Sequence, residues 1–381
     1  MFISTDEFSD NIDKLILHLI SEDLKDDFFR NLVKACDSSN PLYDMVREHL
    51  KDVVRPSGTA SKEFTYTNSI ISLYGYLESY LEKLAEEFIS SINDAIIPVS
   101  ALPKEIKDRH LDLSMQFLKK IAWDKKQDAV EKRECEKQVV ANLHSFFQED
   151  DDYTLNSKAF SVHTANFRYE LIQSHFAQLG EKCIADRTLG LNAVSDKLAV
   201  RQAQDVPEDK EVLKSWLESE LGELAQLRNE IAHGAFEGPI ESLDLIVERA
   251  EFLKHFGVAL GDILYRSFQE ITFHGKERQV LGNANKAYAQ ASCFGFKGKV
   301  LDADDDTFTI RVGDEIYAHN PKSGDKLLKG SVQGIVLNKE PVDEMDFPNA
   351  LDCGIKVDFV VASTMTNREI SVSKVRNLDP K

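Results

Sequence analysis

The chain has 381 residues, 42% of them hydrophobic, and a formal net charge of −19. This content predicts a sizeable core and two or three domains. The charge argues against broad non-specific binding to nucleic acid, which needs Lys and Arg against phosphates.

No apolar run approaches the roughly 20 residues that cross a bilayer. The start carries Asp6, Glu7, Asp10 and Asp13 where a secretory signal has Lys or Arg. No membrane contact and a cytoplasmic home are therefore expected. In chain order, residues 1–55 read as an N-terminal helical extension holding two short helices. Ile12, Leu15, Ile16, Leu19 and Ile20 form one apolar stripe, and Phe28, Phe29, Leu32 and Val33 begin another. The run Arg55-Pro56-Ser57-Gly58-Thr59-Ala60-Ser61 reads as a linker.

A helical domain is expected over residues 60–270. Ile70, Tyr74, Leu77, Leu81, Leu84 and Phe88 recur at spacings of four and three, on one face of a long helix that Pro98 and Pro103 bracket. Further helices are expected around 104–123, 125–148, 164–180 and 187–203, with the acidic run 149–152 as a solvated loop. A helix from about Glu211 to His233, with Gly234 just past its end, is followed by the turn Gly238-Pro239. A second helix over about 240–268 then completes an αα-hairpin.

Residues 271–290 read as a linker and 291–381 as a small β-domain. Short β-type runs are expected at 296–301, 307–312, 315–318, 332–337, 355–361 and 369–375, separated by Asp, Gly, Asn and Pro. The fold class is thus mainly α, a helical bundle with additional helices, followed by a small barrel-like all-β domain. Lys276, Arg278, Lys286, Lys297 and Lys299 are interleaved with aromatic residues and form a candidate RNA track. A domain junction with a solvated basic edge is the competing reading.

The cysteines Cys36, Cys135, Cys183, Cys293 and Cys353 are odd in number and far apart, so free thiols are expected. No metal and no cofactor are expected: His144, His163 and His274 lack ligand spacing, and Asp302, Asp304, Asp305 and Asp306 lack the Gly and closing Glu of a calcium loop. No phosphate-cradling Gly loop with Lys-Ser/Thr is present.

The strongest signal lies before Gly234. Leu217, Leu221, Leu224, Arg228 and Ile231 step by four and three along one stripe, so a guanidinium stands where an apolar residue belongs. Such a group is costly there unless it meets a carboxylate, a phosphate or a partner surface. Asn229 and His233 share the neighbouring face, and Arg228 and His233 are offset by roughly 140°. Two such helices side by side would bring two Arg and two His into one cleft.

Leu227-Arg228-Asn229-Glu230-Ile231-Ala232-His233-Gly234 resembles the Arg-x4–6-His signature of the HEPN superfamily, including the Asn after the Arg. The helix from Ser69 to Glu78 looks like the first core helix of that superfamily. The resemblance implies a helical bundle, dimerisation through the motif helices and, in many members, metal-independent endoribonuclease activity in defence or toxin systems. Carried over by position, Arg228 and His233 would be the catalytic pair, Asn229 the polar residue after the Arg, and Glu78 a support from the facing helix. RNA, a second copy of the chain and a regulatory protein are the implied partners. A non-catalytic dimerising or RNA-binding scaffold, with the β-domain as its recognition part, stays open, as does nucleotidyl transfer with a partner.

Overall fold

A computed structural model describes residues 2–35, 41–49, 51–52, 55–148, 152–298, 307–320, 327–349 and 351–373. Cys36, Lys299, the acidic run at 149–151 and Asp302, Asp304, Asp305 and Asp306 lie outside the described residues. The chain divides into two compact units: residues 1–99 with 103–267, and residues 268–381 with the short segment 100–102.

The first unit is helical. Its elements are α1 (Ile3–Ala35), α2 (Pro41–His49), α3 (Arg55–Ala95), α4 (Lys104–Trp123), α5 (Ala129–Phe147), α6 (Ser157–Phe160), α7 (Tyr169–Ala177), α8 (Ile184–Thr188), α9 (Asn192–Arg201), α10 (Lys210–Ala232) and α11 (Leu243–Gly275), the last entering the second unit at Phe268. Helix α3 is the centre. Its Ile70, Leu73, Leu77, Leu81, Leu84 and Phe88 are almost wholly buried, and α1, α6 and α10 pack on it.

Two expectations fail in the N-terminal region. The first two apolar stripes belong to one helix of 33 residues, because nothing in Ser21-Glu22-Asp23-Leu24-Lys25 breaks it. The expected linker at 55–61 is the first part of α3. Pro56 is tolerated in a first turn, where its missing N–H would have had no partner.

The N-terminus of α1 rests on α3: Glu87 accepts hydrogen bonds from the backbone N–H groups of Ile3 at 2.7 Å and Ser4 at 2.9 Å. A carboxylate there satisfies orphan donors and complements the helix dipole. Close packing of α1 on α11 depends on Gly257 and Gly261. A Cβ at Gly257 would stand 2.3 Å from the Phe8 ring, and one at Gly261 2.3 Å from Thr5 Oγ1. Phe8 stacks on Tyr80 at 4.5 Å, and the Tyr80 hydroxyl donates to the Gly257 carbonyl at 2.7 Å. Gly257→Ala must displace this pair of rings, so a loss of about 1–3 kcal/mol is expected, read as a lower urea midpoint at unchanged slope. A parental midpoint would show that α1 sits elsewhere.

The second unit is a curled antiparallel sheet. Its strands are β1 (Gln279–Asn283), β2 (Lys286–Tyr288), β3 (Cys293–Phe296), β4 (Phe308–Arg311), β5 (Glu315–His319), β6 (Leu328–Leu337), β7 (Glu340–Val342), β8 (Glu344–Phe347), β9 (Cys353–Val357) and β10 (Glu369–Ser373). The main path runs β1-β10-β5-β6-β9-β3-β2, β7 pairs β6, and β4 pairs β8. Strands β1 and β2 are the two ends of this path yet are separated only by Ala284 and Asn285. The sheet therefore curls until its edges approach, as a half-barrel does. Phe294, Ile310, Ile316, Ile335, Ile355 and Ile370 fill the inside.

Five of the six expected strands are present; the expected run at 296–301 meets β3 only at Phe296, its last part lies outside the described residues, and β1, β2, β7 and β8 are not indicated by the sequence. The missed ones are short and polar, and β7 carries Pro341, which suits only an edge. Residues 271–290, read as a linker, hold the end of α11, β1 and β2.

Candidate active site

Helix α10 is closed at both ends. Asp209 accepts from the Glu211 N–H at 2.9 Å at its start. At its end Gly234 adopts φ +66°, the Gly234 N–H donates to the Ile231 carbonyl at 3.0 Å, and the Ala235 N–H to the Glu230 carbonyl at 2.8 Å. This is a Schellman motif, and its left-handed residue favours glycine. His233 is the last residue before it and is exposed at the C-terminal end of the helix.

Leu213, Leu217, Leu221, Leu224 and Ala225 bury the inner face of α10, and Arg228 follows them half-buried. Arg228 makes no ion pair among the described residues. Its guanidinium lies over the Tyr74 ring at 5.1 Å, and its Nη1 donates to Asn229 Oδ1 at 3.1 Å. The Tyr74 hydroxyl accepts from the Phe167 N–H at 2.8 Å and makes a long bond of 3.4 Å to Glu78. Burial, reinforced by Glu78, pushes the Tyr74 hydroxyl up to about 12, so it stays a neutral donor. The structure thus brings Arg228, Asn229 and, through Tyr74, Glu78 together. His233 takes no part in this network among the described residues.

The segment 161–168 docks on the same face. Asn166 donates to Asn229 Oδ1 at 2.9 Å, and His163 sits between two acceptors, the Ala165 carbonyl at 2.8 Å and Glu82 Oε1 at 2.9 Å. Tyr74, Glu78 and Glu82 are four apart and share one line along α3. The Glu82 hydrogen bond raises the His163 pKa above its ordinary value near 6.5, and the same bond holds Glu82 below 4.5.

The pH dependence follows from these two directions. The His163 contribution to docking is full below 6.5 and is lost as pH rises through the raised value, and the Glu82 contribution is lost as pH falls through the lowered one. The His163 imidazole, followed by NMR, is expected to titrate above 6.5 and to move down in Glu82→Gln. A parental titration at or below the ordinary value contradicts this geometry.

A buried ion network lies behind the motif. Arg249 on α11, with its side chain 1% exposed, stands 3.2 Å from Glu220 of α10 and 3.1 Å from Glu241 of the connection after His233. Arg201 of α9 reaches the same two carboxylates at 3.2 and 3.7 Å and donates to the Leu245 carbonyl at 2.9 Å. The chain segment that follows His233 is therefore tied to α9 and α11 by the two arginines that also hold Glu220 of α10.

The basic stretch is not one surface. Lys276 pairs with Glu315 at 2.9 Å, and Arg278 lies 3.5 Å over the Phe273 ring with its Nε buried and without a partner. Burial alone would raise the Glu315 pKa, but the bonds and charges of Lys276 and Lys329 outweigh it and lower it. Lys276 and Arg278 are engaged inside the second unit, because their aromatic neighbours Phe273 and Tyr317 are core residues. Lys286 lies over the Tyr288 ring at 5.9 Å, and the Lys297 N–H donates to Asn285, so these two flank one end of the β2–β3 pair.

Among the described residues no group of three or more His, Cys, Asp or Glu converges as a metal would need. Cys135, Cys183, Cys293 and Cys353 are free. No described helix is long and apolar enough to cross a membrane.

A helical unit ending in an Arg-x4-His helix, followed at once by a second long helix, defines a HEPN domain. The family model RiboL-PSP-HEPN matches residues 43–266, and the chain belongs to this family. Neither a curated protein nor a solved structure gave a match.

Proposed function

We propose that the protein is a metal-independent endoribonuclease, acting as a homodimer in the cytoplasm within a microbial defence or toxin-type system. One observation carries this reading. Arg228 lies on the inner stripe of α10, half-buried and without a carboxylate partner among the described residues, one turn before an exposed His233. A cation held this way is available to a phosphate.

In the proposed reaction His233 takes the proton from a ribose 2′-OH or gives one to the leaving 5′-oxygen. Arg228 stabilises the charge that develops on the phosphate. Asn229 fixes the Arg228 guanidinium, and Glu78 acts at one remove through Tyr74. The products are a 2′,3′-cyclic phosphate and a 5′-hydroxyl. The second copy supplies a second Arg and His. Lys286 and Lys297 are proposed as RNA contacts of the β-unit, which also places a regulatory partner.

Mixed RNA incubated with the protein in EDTA is expected to be cut, and the same strand with 2′-deoxy sugars to resist. Intact RNA beside an intact dimer would instead make the domain a non-catalytic scaffold, a reading that the net charge of −19 favours.

A further inference from the structure

The outer face of the β2-β3-β9-β6 sheet is basic, on a chain whose net charge is −19. Phe294, Phe296 and Ile355 point into the core of the β-unit. By alternation Lys286, Tyr288, Lys356 and Val336 stand on the opposite side, all of them exposed, and exposed Lys297 directly follows β3.

The register sets these side chains next to one another. Lys286, Gly295, Gly354 and Val336 form one cross-strand row, and Tyr288, Cys293, Lys356 and Gly334 form the next. Tyr288 and Lys356 are thus two strands apart, about 10 Å. Tyr288 is 47% and Val336 41% exposed. A Cβ at Gly295 would stand 3.0 Å from the Tyr288 ring, so the ring leans over that glycine, with Lys286 Nζ 5.9 Å from its centre.

The cations here differ from those elsewhere in the unit. Lys276 and Lys329 both pair with Glu315, whereas Lys286, Lys297 and Lys356 make no ion pair among the described residues. Two carboxylates of the same sheet are taken up by the protein. Asp352 accepts from the Gly298 N–H at 2.9 Å, and Asp358 from the Ser331 N–H at 2.9 Å and the Ser331 hydroxyl at 2.8 Å. Glu340 is exposed on β7, at the border.

Three unpaired lysines spread over a sheet attract an extended anion, and an exposed ring among them offers its face to a planar group. A single nucleic-acid strand supplies both, phosphates for the lysines and an unpaired base for the ring. An acidic peptide would meet the lysines and leave the ring without a planar partner. We infer that this face binds single-stranded RNA, through its backbone and a base stacked on Tyr288, with little preference for sequence. Lys356 and Tyr288 join Lys286 and Lys297 in this role, and Lys276 and Arg278 take no part. The choice of RNA over DNA rests on the proposed cleavage, whereas the binding of a single strand does not.

The test is fluorescence anisotropy of the full chain with a labelled 2′-O-methyl RNA of about 12 nucleotides, which 2′-OH attack cannot cut. Binding is expected for oligouridylate and for a mixed sequence alike, and a matching duplex is expected to bind more weakly. Tyr288→Ala should weaken binding of the single strand roughly tenfold, and Tyr288→Phe, which keeps the ring, should leave it near the parent. Lys286→Ala/Lys356→Ala should weaken it and lower the slope of log affinity against log salt by about 0.7 for each lysine lost. Lys125→Ala/Lys126→Ala, an equal loss of exposed charge on the helical unit, should do neither. No binding by the parent overturns the inference and leaves the face to a protein partner. So does binding that neither Tyr288→Ala nor the β-unit lysine pair weakens, or a preference for the duplex. A parent that cuts ordinary RNA but ignores this probe refutes the face and not the nuclease, and a parent that binds through the face but cuts nothing does the reverse.

Discussion

Arg249→Met is expected to cost the helical unit about 3–5 kcal/mol, seen as a large fall in the urea midpoint of its transition. The loss does not come from the hydrophobic replacement, which is close in volume. It comes from Glu220, 2% exposed, which keeps only Arg201 after the change, and from Glu241, which loses its nearer cation. Taking one partner from a buried ion set leaves charge in a medium that solvates it poorly. Typical domains hold only about 5–15 kcal/mol in total, so the variant would sit near the limit of folding. A double change, Arg249→Met with Glu220→Leu, is expected to restore much of the loss, since an apolar replacement of both partners removes the unpaired charge. A single variant as stable as the parent would mean that the network is solvated.

Arg228→Ala and His233→Ala are expected to act in the opposite sense, large on cleavage and small on folding. Removing one preorganised donor to a transition-state charge costs about 10²–10³ in rate. Removing a positioned acid or base costs about 10²–10⁴. His233 is exposed and Arg228 makes no ion pair among the described residues, so each change should move stability by no more than about 0.5–1 kcal/mol. Were Arg228 simply structural, its loss would lower the unfolding midpoint and leave cleavage in proportion to folded protein. Arg228→Lys is expected to remain impaired, because an ammonium cannot reproduce a planar fork that is bonded to Asn229 and laid on Tyr74.

Much of the helical unit was legible in the sequence. The α3 stripe, the span of α4 and the stop of α10 at Gly234 all follow from local rules, namely apolar period, proline brackets and a left-handed cap. The family match spans residues 43–266, which include that motif. What stayed hidden depends on which helices meet. Tyr74 reads as one more apolar residue of a stripe, and only the approach of α10 reveals that it carries Arg228. Glu220 and Arg249 read as solvated charges, because their pairing needs α9, α10 and α11 to converge.

His163 is weighed in the sequence only as a metal ligand and lacks the spacing for one, although Tyr74, Glu78 and Glu82 at steps of four mark the face on which it lands. In the β-unit the spacing of charge and aromatic residues does not tell core rings from surface ones, and only the packing shows Phe273 and Tyr317 to be core with Arg278 laid on Phe273.

The measurement that bears most directly on the composite site is RNA cleavage, in EDTA, by Arg228→Ala and His233→Ala chains produced separately and together. Each variant alone should be almost inactive. Co-produced chains form mixed dimers that keep one Arg228 and one His233 on different copies, and these are expected to regain part of the parental activity. A mixture as inactive as its components beside an active parent, or a parent that leaves RNA whole, contradicts a site shared between two copies.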